Sequence, residues 1–132
     1  MKIVFFGVGA VCSVMATLLD ELSNKSKQKD INFIFVVRNI KKAQAHFFKN
    51  SNVLNKSDFL EIKHFEEIFE DSKKYENYLR NSDIIINSST PSFNLPIMNL
   101  ALKYNTNYAD LASDIYKDEI ISTLKFDQQI LE

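Results

Sequence analysis

Only two glycines occur in the 132 residues, and both lie in one loop, at Gly7 and Gly9. A chain needs glycine where its backbone takes positive φ or lies close against another group. Elsewhere this chain turns on Asn, Ser, Asp and Lys. The loop follows a short apolar run, Ile3-Val4-Phe5-Phe6, that suits a strand buried on both faces. After it, Val11, Val14, Met15, Leu18, Leu19 and Leu22 recur at helical spacing, and this apolar side is expected to pack on the core. The polar run "SNKSKQKD" ends that helix.

The strand-turn-helix pattern then repeats. Ile31 to Val37, "INFIFVV", reads as a second apolar strand. In "RNIKKAQAHFF", Ile40, Ala43 and Phe47 share one side of a short helix, with Asn39 as its cap. "KNSNVLNKSD" reads as irregular, and a weaker strand is expected at Phe59 to Ile62. Phe65, Ile68, Phe69, Tyr75, Tyr78 and Leu79 predict a helix interrupted near Asp71–Ser72. Asp83 to Asn87 is the third strong strand, "SSTPSF" a loop, and Pro96 fits the first turn of a helix to about Tyr104. "NYADLA" reads as a short strand and Asp114 to Glu132 as a last helix, capped by Asp114.

Alternation of this kind argues for one α/β domain over residues 1–132, a Rossmann-like doubly wound parallel sheet with helices on both faces. Right-handed crossovers leave strand order 3-2-1-4-5 as the leading topology. No repeat or linker divides the chain. The net charge of −1 gives no basic footprint for nucleic acid, and no apolar run is long enough for a signal peptide or a membrane span. One cysteine makes no internal disulfide, which fits a reducing, cytoplasmic setting.

Ligands of such sheets bind outside the carboxyl ends of the strands, beside the first strand. The loop "GVGAVC" lies there. Gly7 permits the tight turn and Gly9 lets backbone approach a pyrophosphate, at which the amides of Ala10, Val11 and Cys12 would point. Cys12 stands where the fingerprint's third, packing glycine normally sits. The bland alternatives are a βα turn that needs small residues and, for Cys12, either packing or a thiol activated by the helix N-terminus. The second strand ends in Val37, Arg38 and Asn39, with no carboxylate to take ribose hydroxyls. Arg38 instead suits a 2′-phosphate, favouring NADP over NAD; the alternative is a solvated helix start carrying Arg38, Lys41 and Lys42. His46 and His64 have no partners at metal-ligand spacing, so no metal is assigned, and no catalytic residue is assigned either.

"NSSTPSFNLPIMNLALKYNTNYADLASD" resembles the N-terminal NAD(P)-binding domain of the saccharopine dehydrogenase family, including its carboxynorspermidine dehydrogenase-like members. Asn87, Pro91, Leu95, Pro96, Ile97, Met98, Tyr108 and Asp110 fit its pattern in order. The opening glycines and Arg38, where the family often has Ser-Arg-Thr, fit as well. The resemblance implies NAD(P)-dependent oxidoreduction at a secondary amine joining an amino acid or polyamine to a carboxylated partner, with hydride exchanged at an imine carbon. It implies that Ser88, Ser89, Thr90 and Pro91 lie along the ribose and pyrophosphate, and that Tyr108 to Ala112 approach the nicotinamide. Cys12 and the missing acid after Val37 depart from it.

Enzymes of this family are much longer. The chain is therefore expected to lack the last strand of the nucleotide domain and the substrate domain, so that alone it binds a dinucleotide without catalysis. An uncovered surface is expected to allow a homodimer. Two other classes compete: a stand-alone nucleotide-sensing regulatory domain like those gating potassium transport, and an interaction module whose loop has lost its ligand.

Overall fold

The computed structural model describes residues 1–28 and 30–111. Five strands form one parallel sheet: β1 (Lys2–Phe6), β2 (Asn32–Val37), β3 (Ser57–Glu61), β4 (Ile84–Asn87) and β5 (Asn107–Asp110). Their order across the sheet is 3-2-1-4-5, as the alternation implied. The register sets Phe6 beside both Val36 and Asn87, so the carboxyl ends of the three central strands are level.

Helix α1 (Ala10–Lys25), α2 (Ile40–Gln44) and α3 (Asn52–Asn55) join β1, β2 and β3 across one face, here the front. Helices α4 (Glu66–Glu70), α5 (Glu76–Leu79) and α6 (Asn94–Lys103) serve the reverse direction and lie on the back. The switch of direction beside β1 opens the crevice in which doubly wound sheets place ligands.

Each face has its own core, because alternate side chains of a strand point opposite ways. On the front, Ile3, Phe5, Phe33, Phe35 and Val37 pack with Cys12, Ala16, Ala43 and Val53. The rings of Phe5, Phe33 and Phe35 are stacked, with centroids 5.6–6.4 Å apart. On the back, Val4, Phe6, Ile34 and Val36 pack with Ile68, Leu79, Ile97 and Leu100. Phe65 meets Phe6 edge-on at 5.6 Å.

The largest departure from the periodicity concerns α1. Its buried residues are Cys12, Ser13, Ala16, Asp20 and Ser23. The side expected to pack is turned out: Val11 is 66% exposed, Val14 58%, Leu18 52% and Leu22 62%. Met15 and Leu19 reach only the rim of the core. Small side chains let the helix lie close on a sheet whose phenylalanines already supply the bulk. Asp20 stays buried because its carboxylate holds Lys56 at 3.0 Å and accepts from Asn24 at 3.3 Å.

Smaller differences have local causes. Within the segment read as irregular, Ser51 accepts from the Val53 amide at 3.2 Å and starts α3. Strand β3 begins two residues before Phe59, and Ile62 leaves the ladder although its amide still donates to Val37. Helix α2 ends before Phe47, which is nonetheless buried. The break near Asp71–Ser72 is real, as α4 ends at Glu70 and a 3₁₀ turn, Ser72–Tyr75, leads into α5. The last predicted helix lies outside the described residues.

Candidate functional site

The β1–α1 loop is built by two interlocking constraints. Gly7 has φ +87°, a conformation that side chains resist, and its amide donates to the Val36 carbonyl at 2.8 Å. Ser88, just past β4, donates its hydroxyl to the Gly7 carbonyl at 2.6 Å and its amide to Phe6 at 3.0 Å. A Cβ on Gly7 would meet Ser89. The two loops at the ends of β1 and β4 are thus fitted to each other.

Gly9 is different. Its backbone is extended, and a Cβ there would meet nothing within 4 Å. The protein's own packing gives no reason for a glycine at this position, and the space above it stays open to a ligand. Gly9 is also the N-cap of the 16-residue α1, so no side chain caps the helix and no acidic residue sits in its first turn. Uncapped amides at the positive end of a long helix dipole are donors for an anion.

Asn87 organises the opposite wall. It is 3% exposed, and its amide group donates to the Thr90 carbonyl at 3.0 Å and to Asn94 Oδ1 at 2.6 Å. Its Oδ1 accepts from the Ser89 amide at 3.0 Å and the Ser89 hydroxyl at 2.6 Å. One buried side chain therefore shapes the loop from Ser88 to Asn94, and the 3₁₀ turn Pro91–Phe93 feeds it into α6.

Between these walls lies a cleft of about 570 Å³ at the carboxyl ends of β1, β2 and β4. It brings together Gly7, Gly9, Arg38, Asn39, Ser88, Ser89 and Thr90 from among the residues expected at the site. Ala10, Val11, Cys12 and Pro91 do not line it. Cys12 points into the front core, where burial pushes its thiol up to about 11 despite a hydrogen bond with Ser88. A buried thiol in that core fits the packing role rather than an activated thiolate. Pro91 opens the 3₁₀ turn behind the loop.

The β2–α2 corner presents charge. Arg38 is exposed, and Asn39 caps α2 by accepting from the Lys42 amide at 2.9 Å. Lys42 and His46, one helical turn apart, face the cleft beside Arg38, and neither was expected at the site from the sequence. The sequence carries no signal for them, because their place depends on the burial of Ala43 between them, which turns that side of α2 inward. Among the described residues no Asp or Glu lines the cleft. Glu61, the carboxylate at the end of β3, accepts from the Ile40 amide at 2.8 Å and so serves α2. Phe65 and Phe93, with ring centroids 5.4 Å apart, give the cleft an apolar wall on the back side.

An uncapped helix start, an open glycine above it and a cationic corner one strand away can together hold an anionic ligand across the strand ends. Tyr108 and Asp110 stand at the end of β5; burial, then Asp110, pushes the Tyr108 hydroxyl up to about 12. Among the described residues no group of His, Cys, Asp and Glu is placed to hold a metal, and no helix is long and apolar enough to cross a membrane.

Known proteins bear on this geometry in two ways. A saccharopine dehydrogenase from Saccharomyces cerevisiae (L-Glu forming), solved in the apo state, matches the fold with a TM-score of 0.58 at 19% identity. The match covers 89% of this chain but 23% of that one, so the chain spans about a quarter of the enzyme it resembles. The search of curated proteins found no match. The family profile described as the saccharopine dehydrogenase NADP binding domain matches residues 3–129. The chain belongs to the saccharopine dehydrogenase NADP-binding domain family, and is a dinucleotide-binding domain.

Proposed function

We propose that this chain binds NADP(H) in preference to NAD(H), as the nucleotide-binding part of an oxidoreductase acting on a secondary amine. The carrying observation is the lining of the cleft, which has Arg38 and Lys42 at one end and, among the described residues, no carboxylate. A guanidinium pairs with a phosphate dianion through two parallel hydrogen bonds, whereas ribose hydroxyls call for a carboxylate acceptor. The first-turn amides of α1 hold the pyrophosphate over Gly9, and Ser88 to Thr90 line the path toward the nicotinamide. When bound, the dinucleotide supplies a hydride acceptor or donor; the chain's part is to bind and orient it.

The amine joins an amino acid or polyamine to a carboxylated partner, by the family's chemistry. Its recognition falls to residues outside the cleft. The family match favours this reading over a potassium-gating regulatory domain or an interaction module. A single buried cysteine suits the cytoplasm.

Calorimetric titration with NADPH and NADH tests the reading. NADPH is expected to bind at least about tenfold tighter, with Arg38→Ala removing most of the difference and leaving NADH unchanged. Tighter NADH binding would overturn the phosphate reading, and failure of both to bind would overturn the dinucleotide site in this chain.

A further inference from the structure

We propose that His46 is a third specificity-determining residue at the cationic corner of the cleft, and that its protonation makes the preference for NADP(H) over NAD(H) rise as pH falls, a role that rests on reading this corner as a 2′-phosphate site. Its place is set by two anchors. Ala43 and Phe47, four residues apart, are both buried in the front core, and the Phe47 ring meets Phe35 with centroids 5.5 Å apart. The chain keeps turning past Gln44, since the His46 amide donates to the Ala43 carbonyl at 3.1 Å and the Phe47 amide to Gln44 at 3.0 Å. Lys42 and His46 each precede an anchor by one residue, so they are held on one side of the segment, and both line the cleft with Arg38.

Among the described residues, none of these three basic side chains has a hydrogen bond or an ion pair of its own. Other cations of the chain are engaged: Lys56 with Asp20, Arg80 with Glu76, Lys103 with Ser72. The charges that face His46 in the cleft are of one sign. Lys42 comes from its own segment, Arg38 from the end of β2, and the positive end of the α1 dipole from the loop after β1. Lys41 and Lys49, nearby in sequence, do not line the cleft. The loops after β1 and β4 bring glycine backbone and hydroxyls to it and no titratable group. Glu61, at the end of β3, is committed to the Ile40 amide at the start of α2.

The three groups differ in what pH does to them. Arginine and lysine carry their charge throughout the neutral range, whereas histidine is the side chain that changes charge between about pH 5 and 8. A phosphate monoester is mostly a dianion above about pH 6. A dianion held beside His46 favours the imidazolium, so the complex takes up a proton there and binding tightens as pH falls. NADH has a hydroxyl in place of this phosphate and draws no proton. At about pH 8 the imidazole is neutral, and Arg38 and Lys42 read the phosphate alone.

Calorimetric titration of the full chain with NADPH and with NADH, at about pH 8 and about pH 6.5 and one ionic strength, tests this. The ratio of the two affinities is expected to rise about three- to tenfold over that range in the parent, and to stay within about twofold in His46→Gln. At about pH 7, NADPH binding in buffers of different ionisation enthalpy should show uptake of a fraction of a proton. That uptake should be lost in His46→Gln and kept in His64→Gln, because His64 is exposed and does not line the cleft. His46 is exposed too, so thermal melts of its variant should match the parent. A preference for NADPH that does not steepen, or that steepens equally in His46→Gln, overturns the proposal and leaves the phosphate site standing. His46→Gln weakening NADPH and NADH alike also overturns it, and gives the ring to the part the two dinucleotides share. Equal binding of both dinucleotides at every pH, or of neither, overturns the phosphate site and this role with it.

Discussion

A β-carbon on Gly7 would stand 2.8 Å from the Cβ of Ser89 and 3.0 Å from its Cα, closer than such atoms approach. Because the contact includes backbone and Gly7 also has positive φ, neither loop can yield cheaply. Gly7→Ala should therefore cost about 2–4 kcal/mol of stability in denaturant unfolding. Gly9→Ala has no such neighbour and an ordinary φ, so its stability should stay within about 0.5 kcal/mol of the parent. Its effect should appear instead as at least a tenfold loss of dinucleotide affinity, about 1.4 kcal/mol, because the methyl group enters the space over the helix start. If Gly9→Ala binds NADPH as the parent does, the open glycine has no ligand above it.

Asn87 should be nearly irreplaceable for a different reason. Both ends of its amide are used, by Ser89 on one side and by Thr90 and Asn94 on the other. Asn87→Ala removes these hydrogen bonds from a part-buried loop and should cost about 2–4 kcal/mol. Asn87→Asp keeps the acceptor toward Ser89 but sets an anion against the Thr90 carbonyl, so it should cost nearly as much. Hydrogen exchange should show faster opening of the Ser89 and Phe93 amides in both variants. Unchanged exchange there would mean that the loop holds its shape without Asn87.

The strands and their order were legible because a doubly wound sheet writes itself as apolar runs alternating with helices. Phe33 to Val37 and Ile84 to Asn87 have no other plausible environment. The facing of α1 was illegible for a physical reason. Periodicity locates an apolar side, yet this helix docks through Cys12, Ala16 and Ser23, and its apolar side looks elsewhere. In the cleft, Gly7, Gly9 and Arg38 stood out as candidates by type and position. Lys42 and His46 did not, because their place in the cleft depends on how α2 rolls on Ala43. Asn87 stood out only as part of a family pattern, since hydrogen bonds to a loop leave no spacing to read.

Cys12 gives a pH dependence with a definite sign. Burial raises its thiol from the ordinary value of 9.0 to about 11, so between those pH values the folded chain holds a proton that the unfolded chain has released. Stability is then full below pH 9 and falls as pH rises toward 11, by up to about 2–3 kcal/mol from this group. Other groups titrate in the same range, so the comparison is with Cys12→Ala, whose stability should fall less steeply between pH 9 and 11. Equal slopes in the two proteins would show that Cys12 ionises freely when folded. In the same protein at pH 8, thiol reagents should label Cys12 only on unfolding, as its side chain is 1% exposed.

Arg38 and Lys42 should act on the phosphate together and on nothing else. Both line the cleft, and the Lys42 amide is already fixed by Asn39, which aims the start of α2 at the corner. Lys42→Ala should weaken NADPH binding about three- to tenfold, less than Arg38→Ala, because an ammonium meets phosphate as a point charge rather than through paired hydrogen bonds. NADH affinity should be unchanged in both single variants. In the double variant NADPH and NADH should bind alike, and the loss for NADPH should differ from the sum of the single losses, as for two cations on one anion. Raising the salt concentration should shrink the NADPH advantage in the parent and leave the double variant almost unaffected. If Lys42→Ala lowers both affinities equally, the lysine serves α2 or the adenine pocket, and Arg38 alone reads the phosphate.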